Sequence, residues 1–203
     1  MTDIETHPLP PFLPPDAKVL MPDSFPPPRA RWKMDFYYPN FQNDMWRIFG
    51  LIWFGDKNHF IDLQLKSFKE AAIRAFLQET GIAVYDTAVQ VRRLQNNAAD
   101  KYLQIVQAVD LQSLLAEMPD CAHILTTGDL ATQTLYRCCR SILLRRKSDN
   151  PCKRNAAAAD CICTACLPDR VLIRWHWKRK RRHTVRCLRR FSGCRKADSV
   201  HDA

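Results

Sequence analysis

The sequence predicts an α/β fold built on a short parallel sheet, and two observations predict it. Three short apolar runs, residues 18–21, 82–85 and 123–126, each lie close to Pro, Gly or Asp and are too short to be helices. Between them lie stretches whose apolar residues recur at helical spacing. Strands separated by helices run parallel, and ligand chemistry then falls in the loops at the strand C-terminal ends.

The elements follow in order. Residues 1–16 carry five prolines, Pro8, Pro10, Pro11, Pro14 and Pro15, whose fixed φ angles and missing donors imply an extended, flexible arm. Residues 17–135 have the size of one compact domain. Its first strand, KVLM at 18–21, enters a Pro-rich loop spanning 22–43. Residues 44–54 place Met45, Ile48, Phe49 and Ile52 at helical spacing. Residues 63–80 predict a longer helix with Leu65, Phe68, Ala72, Ala75 and Phe76 on one face and Gly81 at its stop. The second strand, IAVY at 82–85, opens a loop at 86–100. A short helix at 111–117 ends before Pro119, HILT at 123–126 is the third strand, and 128–135 opens another helix.

From Tyr136 the composition changes. The tail, 136–203, holds eight of the nine cysteines and 19 of the 31 basic residues against five Asp and no Glu, a net +14. Residues 1–135 come to −4, so the overall charge of +10 belongs to the tail. One explanation is a shifted codon register beginning between Tyr136 and about Asn150. Trp175-His176-Trp177-Lys178 is encoded TGG-CAY-TGG-AAR, and reading one nucleotide earlier forces Ala-Leu-Glu. With permitted codons that register continues as LALEKKAEAYRALF, a good helix, where the written one gives five adjacent like charges at 178–182. The other explanation is a nucleic-acid or zinc module using Cys161, Cys163 and Cys166, with Cys152, His176, His183, Cys187 and Cys194 nearby. Zinc favours two well-spaced ligand pairs, and no paired spacing recurs here, so no metal or cofactor is expected. The N-terminus has no secretory pattern and no stretch matches a membrane span, so a soluble, cytoplasmic monomer is expected.

Three loops carry the candidate chemistry. In residues 23–46, Pro26, Pro27 and Pro28 stiffen the backbone, and Trp32, Phe36, Tyr37, Tyr38, Asn40 and Asn43 cluster before a helix. Aromatic faces beside amides suit a planar heterocycle, and Arg29, Arg31 and Lys33 suit phosphates; equally, the aromatics are core and the cations a solvated rim. Asp86, just past a strand, either orients a base or sugar or caps a helix. Thr127 and Gly128 offer a hydroxyl and free N–H groups at a helix start, an anion site. His59 and His123 have no partner at ligand or triad spacing, and Cys121 has no second thiol in the body of the chain.

Ser24-Phe25-Pro26-Pro27, FYYPNFQNDMWRIFG at 36–50, IAVYDTA at 82–88 and TTGDLAT at 126–132 resemble, in this order, the motifs of the uracil-DNA glycosylase superfamily. The closer likeness is to its bacterial branch with a G-S/T-F-P-P first motif and to the deoxyinosine glycosylases. The resemblance covers about residues 17–135. It implies a three-layer α/β/α sandwich around about four parallel strands, and metal-free hydrolysis of the N-glycosidic bond of a flipped-out base in DNA, uracil or hypoxanthine. Phe25 stands where other members carry a water-activating Asp or Asn, so the resemblance points to Asn43 to orient the water. Tyr38 or Phe25 would stack on the base, with Ser24, Pro26 and Asp86 also against it and Arg29, Arg31, Thr127 and Gly128 on the phosphates. Two departures stand out. Asp23 replaces the motif's first Gly, adding a Cβ and a negative charge. The written tail also lacks the family's closing strand, Ser/Pro loop and helix, which the shifted register can supply. The alternative function is a non-catalytic nucleic-acid-binding protein whose basic tail contacts phosphates and binds zinc.

Overall fold

The computed structural model describes residues 3–95, 99–145, 161–162 and 171–174, those from residue 140 onward by backbone alone. Its central sheet holds β2 (Val19–Asp23), β5 (Ile82–Asp86), β8 (His123–Thr126), β9 (Cys161–Ile162) and β10 (Val171–Arg174), in the order β5-β2-β8-β10-β9. The first four strands in that order run parallel, and β9 closes the edge antiparallel to β10. The α/β fold with a parallel sheet is therefore as expected. β5 is buried at all five positions and β2 at its first four, so both faces of the sheet are covered. The cover comes from α1 (Met45–Phe54), α2 (Glu70–Thr80), α3 (Leu111–Ala116) and α4 (Asp129–Arg145). They contribute Trp46, Phe49, Ile73, Leu77, Leu114, Leu115 and Leu135 to one core with Leu20, Val84 and Ile124 of the strands.

Four expectations are corrected. The helix expected over 63–80 starts only at Glu70, because β3 (Ile61–Asp62) and β4 (Ser67–Phe68) form a hairpin ahead of it. Asp62 Oδ1 accepts from the N–H groups of Gln64 and Leu65, both at 3.0 Å, and Lys66 takes φ 49° to close the turn. Leu65 is 75% exposed, Ala75 is also exposed, and the buried face is Ile73, Phe76, Leu77 and Thr80. Gly81 does end α2, at φ +64°, where an added Cβ would lie 2.9 Å from the Asp16 carbonyl oxygen.

The loop expected at 86–100 is in its first half a strand. β6 (Ala88–Arg93) pairs with β7 (Leu103–Ala108) and with β1 (Ile4–Thr6) in a second, antiparallel sheet, β1-β6-β7. Asn96 and Asn97 lie outside the described residues. The arm, expected to be flexible, is built in. Beyond β1, His7 N–H donates to Val89 O at 2.8 Å, and Phe12 exchanges two backbone bonds with Val84, at 3.1 and 3.0 Å. Arg93 Nε and Nη2 grip the Glu5 carboxylate at 2.9 and 3.0 Å, and Nη2 also reaches Pro26 O at 3.2 Å. Prolines end up between these anchors, where no donor is required of them.

The written tail was expected to lack a fourth strand, yet Val171–Arg174 pairs in register with His123–Thr126. Val-Leu-Ile is itself a buried-strand sequence, whatever register surrounds it. α4 likewise continues past residue 135, to Arg145. Cys163, Cys166 and the other candidate zinc ligands, apart from the backbone of Cys161, lie outside the described residues, as do 178–182. Among the described residues no helix is long and apolar enough to cross a membrane.

Candidate functional site

Three parallel strands end side by side, and each delivers part of one cavity. β2 ends in Asp23 and continues into Ser24-Phe25-Pro26-Pro27. β5 ends in Asp86 directly opposite Asp23, and β8 leads to Thr127 and Gly128. Pairing persists beyond the strands, since Thr87 N–H donates to Asp23 O at 2.8 Å and Ala88 N–H to Ser24 O at 3.2 Å. The loop before α1 adds Tyr37, Tyr38, Pro39, Asn40 and Asn43, and the turn Asp100–Tyr102 adds Asp100. Together they line a cavity of about 220 Å³.

Tyr38 is held in an unusual conformation. Its φ is 52°, in the left-handed region that costs a non-glycine residue about 1–3 kcal/mol. Trp46 Nε1 donates to Tyr37 O at 3.1 Å, the Trp46 ring meets Tyr38 edge-on at 5.8 Å, and the Tyr38 hydroxyl lies 3.2 Å from Thr127 Oγ1. These contacts fix the phenol across the mouth of β8. Asn43 is half-buried, and its Oδ1 accepts from Met45 N–H at 2.8 Å, closing the first turn of α1. Asn40 Oδ1 does the same for Gln42 at 3.0 Å. One lone pair of each amide oxygen is thus engaged locally, and the amide N–H groups remain as donors.

Most of the predicted site residues come together. Ser24, Phe25, Pro26, Tyr38, Asn43, Asp86, Thr127 and Gly128 all line the cavity. Arg29 and Arg31 do not; they sit exposed on a short turn after Pro28, with Arg29 bound to Asp35 at 2.6 Å and over the Trp32 ring at 4.2 Å. Asp86 caps no helix. It is 4% exposed, and its Oδ2 meets His7 Nε2 at 3.0 Å.

Sequence reasoning missed three polar residues. His7 arrives from the arm, with its side chain 1% exposed, Nδ1 2.7 Å from Leu9 O and its ring edge-on to Phe25 at 5.3 Å. Nothing in the local sequence marks it. Asp100 accepts from Ser24 Oγ at 2.7 Å. Asp23 was legible, because VLMPD and IAVYD are two apolar strands each closing on Asp, and parallel pairing puts those ends together.

The surroundings of Asp23 disfavour its charge. Desolvation, then the charges of Asp86 and Asp100, push its carboxyl up from 3.8 to about 7, against the Ser24 N–H and the Thr127 hydroxyl that bond to it. Burial also raises the phenols of Tyr37 and Tyr38, aided by Asp86 for Tyr37 and by Asp23 for Tyr38, so both remain hydrogen-bond donors at neutral pH. Among the described residues no Lys or Arg lines the cavity.

Fold and site together define an α/β protein with an aromatic-walled, acid-floored cavity at the carboxyl edge of its parallel sheet. Among solved structures, the chain is similar to a solution NMR structure from Methanosarcina acetivorans that is provisionally described as a uracil DNA glycosylase. The TM-score is 0.50 at 20% identity, over 70% of this chain and 78% of that one. At this identity the likeness is one of fold. No protein-family model matches the sequence, and no curated protein matches it significantly.

Proposed function

We propose that this chain is a DNA base-excision glycosylase that hydrolyses the N-glycosidic bond of a damaged base, uracil or hypoxanthine, turned out of the helix. The observation that carries it is that Asn43, Phe25 and Tyr38 share one cavity. A base needs flat apolar walls and a few fixed polar groups, and an extruded nucleotide is held by that combination. Phe25 and Tyr38 supply the walls, and Pro26 and Pro27 keep the Phe25 backbone rigid. Ser24, Asp86 and Asn43 face the base edge or the sugar. The Asn43 amide orients the water that attacks the sugar C1′, and Thr127 and Gly128 bind the flanking phosphate at the start of α4. Arg29 and Arg31, outside the cavity, supply charge to the DNA backbone beyond it.

The test is release of base from oligonucleotides carrying one deoxyuridine or one deoxyinosine, single-stranded and duplex, read as alkali-labile strand breaks. The chain releases a base, and Asn43→Ala slows release by about 100-fold, in the range of a lost orienting group. No release from any of these substrates, or an Asn43→Ala variant as fast as its parent, overturns the reading. A codon-register change between Tyr136 and about Asn150 belongs to the same proposal. The gene's nucleotide sequence tests it, and a chain with the register restored is assayed beside the written one.

A further inference from the structure

Asn43 can orient water, but an amide takes no proton at neutral pH, so hydrolysis needs other groups to move protons. Two carboxyls are placed for it. Asp23 and Asp86 are register partners on adjacent parallel strands, so their side chains leave the same face of the sheet at neighbouring positions, with strands about 4.8 Å apart. Two acids so placed do not both ionise readily, and their surroundings decide which holds the proton. Asp86 has His7 Nε2 at 3.0 Å. Among the described residues Asp23 meets no cation; it has the Ser24 N–H, the Thr127 hydroxyl and the neighbouring charges of Asp86 and Asp100.

Resting on the glycosylase reading, we propose that Asp23 is the catalytic acid that protonates the departing base, that Asp86, positioned by His7, takes the proton of the attacking water, and that the base is a purine. The water oxygen bonds C1′ as the C1′–N9 bond breaks, and that bond's electron pair stays with the base. N7 of the base takes the Asp23 proton, and the water's proton passes to Asp86. Asp23 then stands ionised and Asp86 protonated, and transfer between the two neighbours restores the starting state. The substrate class follows from charge. Uracil leaves as an anion beside the carboxylates of the cavity, where no Lys or Arg stands among the described lining residues, whereas a purine protonated at N7 leaves neutral.

Asp23 at about 7 fits an acid that still carries its proton at neutral pH. The titratable groups facing it are Asp86 on β5, Asp100 in its turn and Tyr38 in the loop before α1. His7, Tyr37 and Tyr85 stand behind Asp86, with both phenols raised. Release of a purine that needs this proton should therefore fall as pH rises through about 7.

The experiment compares oligonucleotides carrying deoxyinosine, deoxyuridine or 7-methylguanine; the 7-methylguanine ring is already cationic and leaves neutral without a proton. With the full chain at pH 7, Asp23→Asn lowers kcat on deoxyinosine by about 100-fold or more, with KM within about 3-fold, and its loss on 7-methylguanine is at least about tenfold smaller. The wild type's fall in rate above neutral pH is seen with deoxyinosine alone. His7→Gln lowers kcat by about tenfold on both purine substrates, with KM held, as expected of a positioning residue. Equal losses on the two purine substrates, an Asp23→Asn variant at full speed, or uracil released faster than hypoxanthine overturns this assignment while leaving the glycosylase reading intact. A wild-type chain that releases none of the three bases overturns both.

Discussion

Replacing Asp23 by Asn tests the electrostatics of the cavity without any substrate. The carboxyl rises from 3.8 to about 7 on folding. Between those values the folded chain holds a proton that the unfolded chain has lost, so the folded state binds more protons and stability falls as pH rises. The contribution is fully present below 3.8 and gone above about 7. At about 1.4 kcal/mol per unit the shift corresponds to at most roughly 4 kcal/mol. Asp23 is half-buried in a cavity wall, so solvent screening halves this to about 2 kcal/mol. Asn cannot ionise, yet its amide oxygen can still accept from the Ser24 N–H, now bonded to Asp23 Oδ1 at 2.9 Å. Urea unfolding of both proteins at pH 4 and pH 8 gives the double difference, which cancels every titrating group that does not interact with Asp23 and leaves Asp23 with its neighbours Asp86 and Asp100. The variant should gain about 2 kcal/mol on its parent between the two pH values. A double difference within about 0.5 kcal/mol of zero would refute a desolvated, charge-crowded Asp23.

Three further changes test other parts of the structure. Asn43→Ala removes the bond to Met45 N–H, so apart from the proposed effect on excision it should cost about 1 kcal/mol in urea unfolding, and Asn43→Asp should restore that stability. Gly50→Ala places a Cβ 2.4 Å from the Asp56 carbonyl oxygen, a backbone atom, and should destabilise by about 1–3 kcal/mol although Ala is the better helix former; a rise in Tm would contradict that packing. His7→Ala opens a hole against Phe25, Tyr37 and Tyr85 and strips Asp86 of its partner, so thermal melting should show a loss of about 2–4 kcal/mol, where a loose arm would show none.

The parallel sheet was legible because a strand buried on both faces is written as an unbroken apolar run, and three such runs stand out from their surroundings. The second sheet was not, because AVQVRR and LQIVQA alternate only in part and their pairing is bulged. Its third strand is Ile4–Thr6, more than eighty residues away from β6 and just ahead of a proline-rich stretch, and the pairing has no local signature. The hairpin before α2 was hidden for a different reason. Leu65 and Phe68 look like the start of an apolar helical face, and only the Asp62 turn, which leaves Leu63 and Leu65 in solvent, decides against it.

The site divides along the same line. Phe25, Tyr38 and Asn43 were readable because a single stiff loop carries them, so sequence proximity becomes spatial proximity. Asp23, taken by position alone, is a charge where the motif has glycine; its meaning comes from the strand beside it. Once β2 and β5 are aligned in parallel, VLMPD over IAVYD, the carboxyl of Asp23 acquires Asp86 as its neighbour, and the crowding that raises it follows from the register. A departure from a motif is therefore better judged against its sheet neighbours than against the motif. Here that comparison turns an apparent defect at Asp23 into a crowded, proton-holding carboxyl, the property the proposed excision asks of its acid.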